Sequence, residues 1–298
     1  MDLQRAVGRP TAAGRHAHVF INGLYWGLYD VHERPNDDWC ANHEGGEPEE
    51  YDWVKEGVVW AGNHFPYDHP STPGSWNTAI EIAGNGLDVD DQWQGVPAYE
   101  AIQEHIDVAN YADYFLINFY GGHLDWPSQN WYATSHARNS EELGDVNPDA
   151  AFRFHSWDAE TTLHWHGVTS VNDGWYDRTY VGDTDNIRNV AFIYGRLREH
   201  PEFRMLMADR VQRMMAPDGP LYVEPGADVA GTPFVPGQSA PADLYHARSS
   251  QIEAAVRLEY ARWANYFYNS GSVSPANWEV ERTRLLEDYF PVRSDVLL

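Results

Sequence analysis

The sequence predicts an α+β fold, with strands concentrated in its first part and a mainly helical remainder. Three observations carry that expectation. Asn22-Gly23 separates two short runs rich in apolar residues, the strongest short-range signal for a β-hairpin, because both turn positions require positive φ. From Ala98 onward apolar side chains recur at intervals of three and four, which places them on one face of a helix. A chain of 298 residues that is 43% hydrophobic and 14% aromatic can bury a sizeable core, as one large domain or as two lobes around a cleft.

The hairpin runs from His18 to His32, its strands marked by Val19 and Ile21, then Tyr25, Leu28 and Val31. Residues 36–97 are rich in Gly, Pro, Asp, Glu and Asn and read as a long irregular region with one helix near Ser75 to Ala83. Tyr99, Ile102, Ile106, Ala109, Tyr114, Leu116, Ile117 and Tyr120 predict helix over 98–120, restarting near Asp107. Gly121-Gly122 stops it, and a polar, aromatic loop follows at 123–130. Trp131 to Thr134 and Phe152 to Trp157 read as two short strands flanking an acidic turn at 139–150. Helices are then expected near Ile187 to Arg198, from Pro201 to about Met215, over Ala242 to Tyr268 and over Pro275 to Tyr289, with a Pro- and Gly-rich loop at 216–241.

Charge narrows the partners. With 45 acidic and 20 basic residues the net charge is −25, which repels nucleic-acid backbones and anionic membrane surfaces alike. No apolar run approaches the roughly 18 residues of a membrane span, and the first 20 residues show no signal peptide. Cys40 is the sole cysteine, which excludes an intrachain disulfide and a CxxC metal site. Lys55 is the sole lysine. It lies in the irregular acidic stretch, past the hairpin, and no role is assigned to it.

The segment His123-Leu124-Asp125-Trp126-Pro127-Ser128-Gln129-Asn130 has the His-x-Asp-x4-Asn spacing of a protein-kinase catalytic loop. In that arrangement the Asp accepts or orients the proton of a substrate hydroxyl, and the Asn turns an oxygen onto a magnesium ion. A second acid is then expected at a nearby strand end, and Phe152-Arg153-Phe154-His155-Ser156-Trp157-Asp158 delivers one. His123 is read as orienting the loop. Two other constellations are weaker. His155, Asp158, His164 and His166 could form a zinc or iron site, and Asp88, Asp90 and Asp91 begin a calcium-loop pattern but meet Tyr99 where a Glu is required. No motif singles out a carboxylate pair for glycoside hydrolysis.

Several segments together carry a family resemblance. They are Asn22-Gly23-x-Tyr25-Trp26-Gly27-Leu28-Tyr29 with Glu33, Asp113-Tyr114, Asn118, Asp125-Trp126, Asn130 and Trp157-Asp158. Pro201-Glu202-Phe203-Arg204, Ala261-Arg262-Trp263 and Tyr289-Phe290-Pro291-x-Arg293 extend them. In these the chain resembles the spore-coat CotH kinase family, over roughly residues 3 to 295. The resemblance implies an atypical protein-kinase fold, with residues 1–35 as the remnant of a β small lobe and 36–298 as a mainly helical large lobe. It implies ATP with Mg2+ or Mn2+, phosphoryl transfer to Ser or Thr hydroxyls of a protein, and a secreted, cell-surface or spore-associated setting. Asp125 would be catalytic, Asn130 and Asp158 would hold metal, and Val31, Glu33 and Arg34 would form the hinge that meets adenine.

The chain departs from the family pattern in one respect. A kinase small lobe supplies a phosphate-binding lysine and a helix glutamate from upstream of this hairpin. Upstream of His18 there is no lysine, no glutamate and no Gly-rich loop, only Asp2 and three arginines among the charged side chains that bear on this chemistry. The expectation is that the chain begins inside the domain and, as given, transfers phosphate slowly or not at all. The alternative is a non-catalytic surface, adhesion or structural protein on the same fold.

Overall fold

The computed structural model describes residues 1–55, 58–61, 65–66, 75–136, 151–163, 179, 181–182, 184–267 and 274–298. The predicted hairpin forms from strands β1 (Gly14–Ile21) and β2 (Leu24–His32), starting four residues earlier than expected. Its turn residues Asn22 and Gly23 adopt φ of 51° and 80°, as the Asn-Gly signal requires.

Residues 36–97 are more ordered than their composition predicts. Helix α2 (Asp37–Glu44) is capped by Asn36, whose side chain accepts from Trp39 N at 3.1 Å. Strands β3 (Asp52–Lys55), β4 (Val58–Ala61) and β5 (Phe65–Pro66) follow, then helix α3 (Ser75–Asn85) where one was expected. A small ladder of β6 (Gln92–Trp93) and β7 (Val96–Pro97) closes the region. The irregular reading fails here for a physical reason. These strands are two to four residues long, and β3 is buried on both faces, so no period-two alternation marks it.

The next stretch follows the sequence closely. Helix α4 (Ala98–Gln103) stops, and α5 (Val108–Gly121) restarts at Asp107, whose carboxylate accepts from Asn110 N at 2.8 Å. Gly122 ends α5 at φ 62°. Strands β8 (Trp131–Ser135) and β9 (Arg153–Ser156) then pair antiparallel. The acidic turn expected at 139–150 lies outside the described residues. Together β3, β4, β5, β8 and β9 make one sheet in the order β5-β4-β3-β8-β9. Its inner face presents Val54, Trp131, Ala133 and Phe154 to Trp76 and Ile82 of α3 and to Tyr111 and Phe115 of α5 in the main core.

The rest is helical: α6 (Ala191–Leu197), α7 (Pro201–Met214), α8 (Ala240–Phe267), and α9 (Pro275–Arg284) continuing through a π turn to Arg293. Residues Asn110 to Gly121 of α5 are all buried, because α5 is sandwiched between the sheet core and a second apolar cluster built with α7, α8 and the 285–290 segment. All the strands lie before residue 157, interleaved with helices α1 to α5, and the described remainder is helical, which makes the fold a mixed one with partial sheets and a mainly helical region. Among the described residues no helix is long and apolar enough to cross a membrane.

Two side chains lock the ends of the chain onto this frame. Gln4, buried in helix α1 (Asp2–Ala6), donates to Phe154 O at 2.7 Å and accepts from Ser156 N at 2.8 Å. Its amide therefore satisfies the outer edge of β9 as a neighbouring strand would. Arg293, also buried, donates to Tyr120 O and Phe119 O, each at 2.5 Å. That places a cation on the negative end of α5.

Candidate functional site

The loop 123–130 leaves the C-terminus of α5 and returns into β8. It is stitched to the segment after β9 by Leu124 N donating to Thr161 O at 3.1 Å and Leu163 N donating to Gly121 O at 2.7 Å. Trp126 pins its middle, donating from Nε1 to Tyr114 OH at 2.8 Å with its ring against Phe115 and Phe119. Apolar anchoring thus fixes a loop whose polar residues stay near the surface.

His123 organises the polar part. Asn118 donates its amide to Tyr114 O at 2.8 Å, so its oxygen is the acceptor that faces His123 Nδ1 at 3.2 Å, and Nδ1 carries the proton. On the other side His123 Nε2 lies 2.9 Å from Asp125 Oδ1, and the Asp158 backbone is near enough to the ring to favour its protonated form. Burial pulls the imidazole below its ordinary range, opposed by the charge and hydrogen bond of Asp125. With Nδ1 committed to Asn118, Nε2 is the nitrogen turned toward the Asp125 carboxylate. The Thr161 hydroxyl donates to the same Asp125 oxygen.

Asn130 and Asp158 leave the open end of the β8–β9 ladder, one residue before Trp131 and two after its partner Ser156. Both adopt positive φ, 61° and 48°, a region that Asn and Asp enter more readily than other side-chain-bearing residues. Asp158 is exposed and shares a hydrogen bond with Glu160. Burial first, and then the carboxylates of Asp158 and Asp125, raise the Glu160 carboxyl above its usual range. His123, Asp125, Asp158 and Glu160 are thus mutual neighbours, with Asn130 at the same sheet end. Glu160 and Thr161 carry no signal in the sequence, since neither belongs to a spaced motif.

The donors present fit a hard divalent cation. Asn130 and Asp158 offer oxygen, and a crowd of carboxylates is relieved by positive charge. Among the described residues no group of three or more His, Cys, Asp or Glu is arranged to hold a metal ion. His164 and His166, two members of the zinc or iron reading, lie outside the described residues. Asp91 accepts from Asp88 N at 2.8 Å, which makes the 88–91 segment a self-satisfied turn.

The segment expected as the hinge lies over the sheet's outer face. Val31 is half exposed on β2, opposite Arg15. Glu33 is a local organiser: its carboxylate accepts from Ala13 N at 2.8 Å and Trp39 Nε1 at 3.0 Å and meets His43 at 3.1 Å. The Ala13 bond leads in holding that carboxyl below its ordinary range. Arg34 donates to Tyr132 OH at 2.7 Å, and its guanidinium lies over the rings of Trp53 and Tyr132. Trp157 meets both His32 and Tyr132 edge to face. An aromatic and cationic surface therefore borders the acidic end of the ladder.

Two comparisons bear on this arrangement. The family described as CotH kinase protein matches residues 1–217. A comparison with curated proteins found no match.

Proposed function

Because the chain belongs to the CotH kinase protein family, with the kinase-like fold that membership supports, we propose that it transfers the γ-phosphoryl group of ATP to Ser or Thr hydroxyls of a protein. The observation that supports this reading most is His123, whose ring adjoins both the Asp125 carboxylate and the Asp158 backbone. One buried side chain thereby couples the loop that would act on the hydroxyl to the turn that would hold the metal.

In this reading Asp125 receives the proton. His123 and Thr161 both engage Oδ1, which leaves the other oxygen of a carboxylate 38% exposed for the incoming hydroxyl. The hydroxyl oxygen bonds to the γ-phosphorus, its proton passes to Asp125, and ADP departs with the electrons of the broken P–O bond. His123 is a positioning residue: held by Asn118, it fixes the rotamer of Asp125 as the base and keeps the carboxylate turned toward substrate. Asn130 and Asp158 would hold Mg2+ or Mn2+, which supplies neutralisation of phosphate charge when bound. His32, Arg34, Tyr132 and Trp157 would border the adenine, with Val31, Glu33 and Arg34 as its hinge.

The test is transfer of labelled γ-phosphate to the protein itself and to a Ser/Thr-rich polypeptide, with magnesium and then manganese. Asp125→Ala should abolish transfer in a chain that still unfolds at the wild-type temperature, and Asp158→Ala should abolish metal-dependent ATP binding. A folded wild-type chain that neither binds Mg-ATP nor transfers phosphate would leave the surface or structural reading in its place.

A further inference from the structure

We propose that a cavity behind the 123–130 loop binds a small apolar molecule carrying one hydrogen-bonding group, and that its occupancy tightens the supports of Asp125. The cavity measures about 210 Å³. It lies between α1, α5, the start of α8 and the segment that follows β9. Its walls are mainly apolar, from Leu3, Ile117, Leu163, Leu244, Tyr245 and Phe290. An engineered apolar cavity of roughly 150 Å³ takes benzene, so a substituted benzene ring fits this volume.

One polar group enters the lining from the sheet. Ser156 ends β9, and its register with Trp131 places its side chain on the inner face, the face of Phe154. The residue is 5% exposed. Its N–H is taken by Gln4 Oε1 at 2.8 Å, whereas among the described residues its hydroxyl has no hydrogen-bond partner. A buried hydroxyl is costly to leave unsatisfied, and this one lines a cavity from which a partner can reach it. Other polar side chains of the lining are already bonded. Thr162 donates to Ala159 O at 2.7 Å, Arg248 grips Asp2 at 2.6 and 2.7 Å, and Asn118 spans Tyr114 O and His123. With Asp2 and Arg248 paired to each other, the lining selects a neutral molecule. It is apolar over most of its surface and offers a single donor or acceptor to Ser156.

The same walls carry the supports of Asp125. Asn118 holds His123 Nδ1 at 3.2 Å, and Thr162 follows Thr161, whose hydroxyl donates to Asp125. Ser156 precedes Asp158 by two residues. Leu163 donates its N–H to Gly121 O at 2.7 Å, tying the segment after β9 to the end of α5. A molecule filling the cavity packs against each of these attachments and restrains their relative motion. In the kinase reading, on which this consequence rests, a better-held Asp125 transfers phosphate faster.

The probes are para-cresol and toluene, the same shape with and without a hydroxyl. Calorimetric titration of the full chain should give para-cresol a Kd on the order of 1 mM or tighter. Ser156→Ala, which keeps the backbone bonds, should weaken para-cresol about fivefold and leave toluene within about twofold. Leu244→Trp should fill the volume and abolish both. Bound para-cresol should shift the imidazole resonances of His123 and leave those of His200, which does not line the cavity, in place. In the phosphate-transfer assay saturating para-cresol should raise the rate about twofold to fivefold in wild type and not in Leu244→Trp. If para-cresol does not bind, or binds wild type and Ser156→Ala alike, the site falls. If it binds without moving the His123 resonances, or slows transfer, the coupling to Asp125 falls. A chain that shows the binding and the shift yet transfers no phosphate overturns the kinase reading and leaves the site standing.

Discussion

Two β-hairpins in this molecule are built on opposite principles. The first, β1–β2, is a two-stranded ribbon that leaves Phe20 61% and Leu24 69% exposed. Its turn defines it, and its docking is polar: Glu259 of α8 accepts from Leu28 N at 2.7 Å, Trp263 donates to Trp26 O at 2.8 Å, and Arg262 donates to Tyr25 O at 3.1 Å. The second, β8–β9, has every residue of β8 buried and forms one side of a five-stranded sheet. The contrast separates two sources of order. A hairpin specified by its own turn can sit lightly on the surface, whereas one that carries candidate chemistry at its end is fixed by what surrounds it.

Breaking each hairpin should therefore have very different effects. Trp131→Ala removes a fully buried ring packed against Trp76 and Phe154 and should destabilise the protein by about 3–5 kcal/mol in urea titration. Leu24→Ala, at the tip of the exposed ribbon, should change stability by less than about 0.5 kcal/mol. Equal effects from the two would erase the distinction.

A second probe uses pH. His155 on β9 is wholly buried, with Nε2 2.7 Å from Thr134 Oγ1, and burial above all lowers its pKa to about 4. A histidine depressed in the folded state is protonated first in the unfolded chain, so its stabilising contribution is complete above the unfolded value of about 6.5. It is lost as pH falls from there toward 4, by a total on the order of 3 kcal/mol. Stability measured across that window should drop less steeply in His155→Gln than in wild type. The exposed ribbon has no counterpart to this group among its buried side chains.

A smaller and more local effect should come from the ribbon's docking. Glu259→Gln weakens the acceptor for Leu28 N and for Tyr25 OH, which lies 3.3 Å from it, and should cost about 1–2 kcal/mol. The loss should appear as faster amide exchange along β2, with little change in β8 or β9. Global unfolding in its place would mean that the ribbon is as integral as the inner sheet.

The same contrast explains what the sequence reveals. Asn22-Gly23 needs no tertiary context, and neither does the restart of helix at Asp107, whose cap is three residues from its donor. The spacing from His123 to Asn130 makes that loop conspicuous because its candidate roles come from close neighbours in the chain. Nothing around Trp53, by contrast, announces a strand, because β3 is four residues long and buried on both faces, and of its two partners Tyr132 to Ser135 lies far along the chain. Glu160 and Thr161 go unmarked because only the folding back of the segment after β9 brings them to Asp125.

Arg293 carries a last consequence. The family match ends at residue 217, yet Arg293 lies well beyond it and donates to the carbonyls of Phe119 and Tyr120 at the root of the 123–130 loop. The smallest piece that can be expected to work is therefore longer than the piece that can be recognised. A version cut at the edge of the matched residues would keep Asp125, Asn130 and Asp158 and lose the guanidinium that closes the helix on which their loop is mounted.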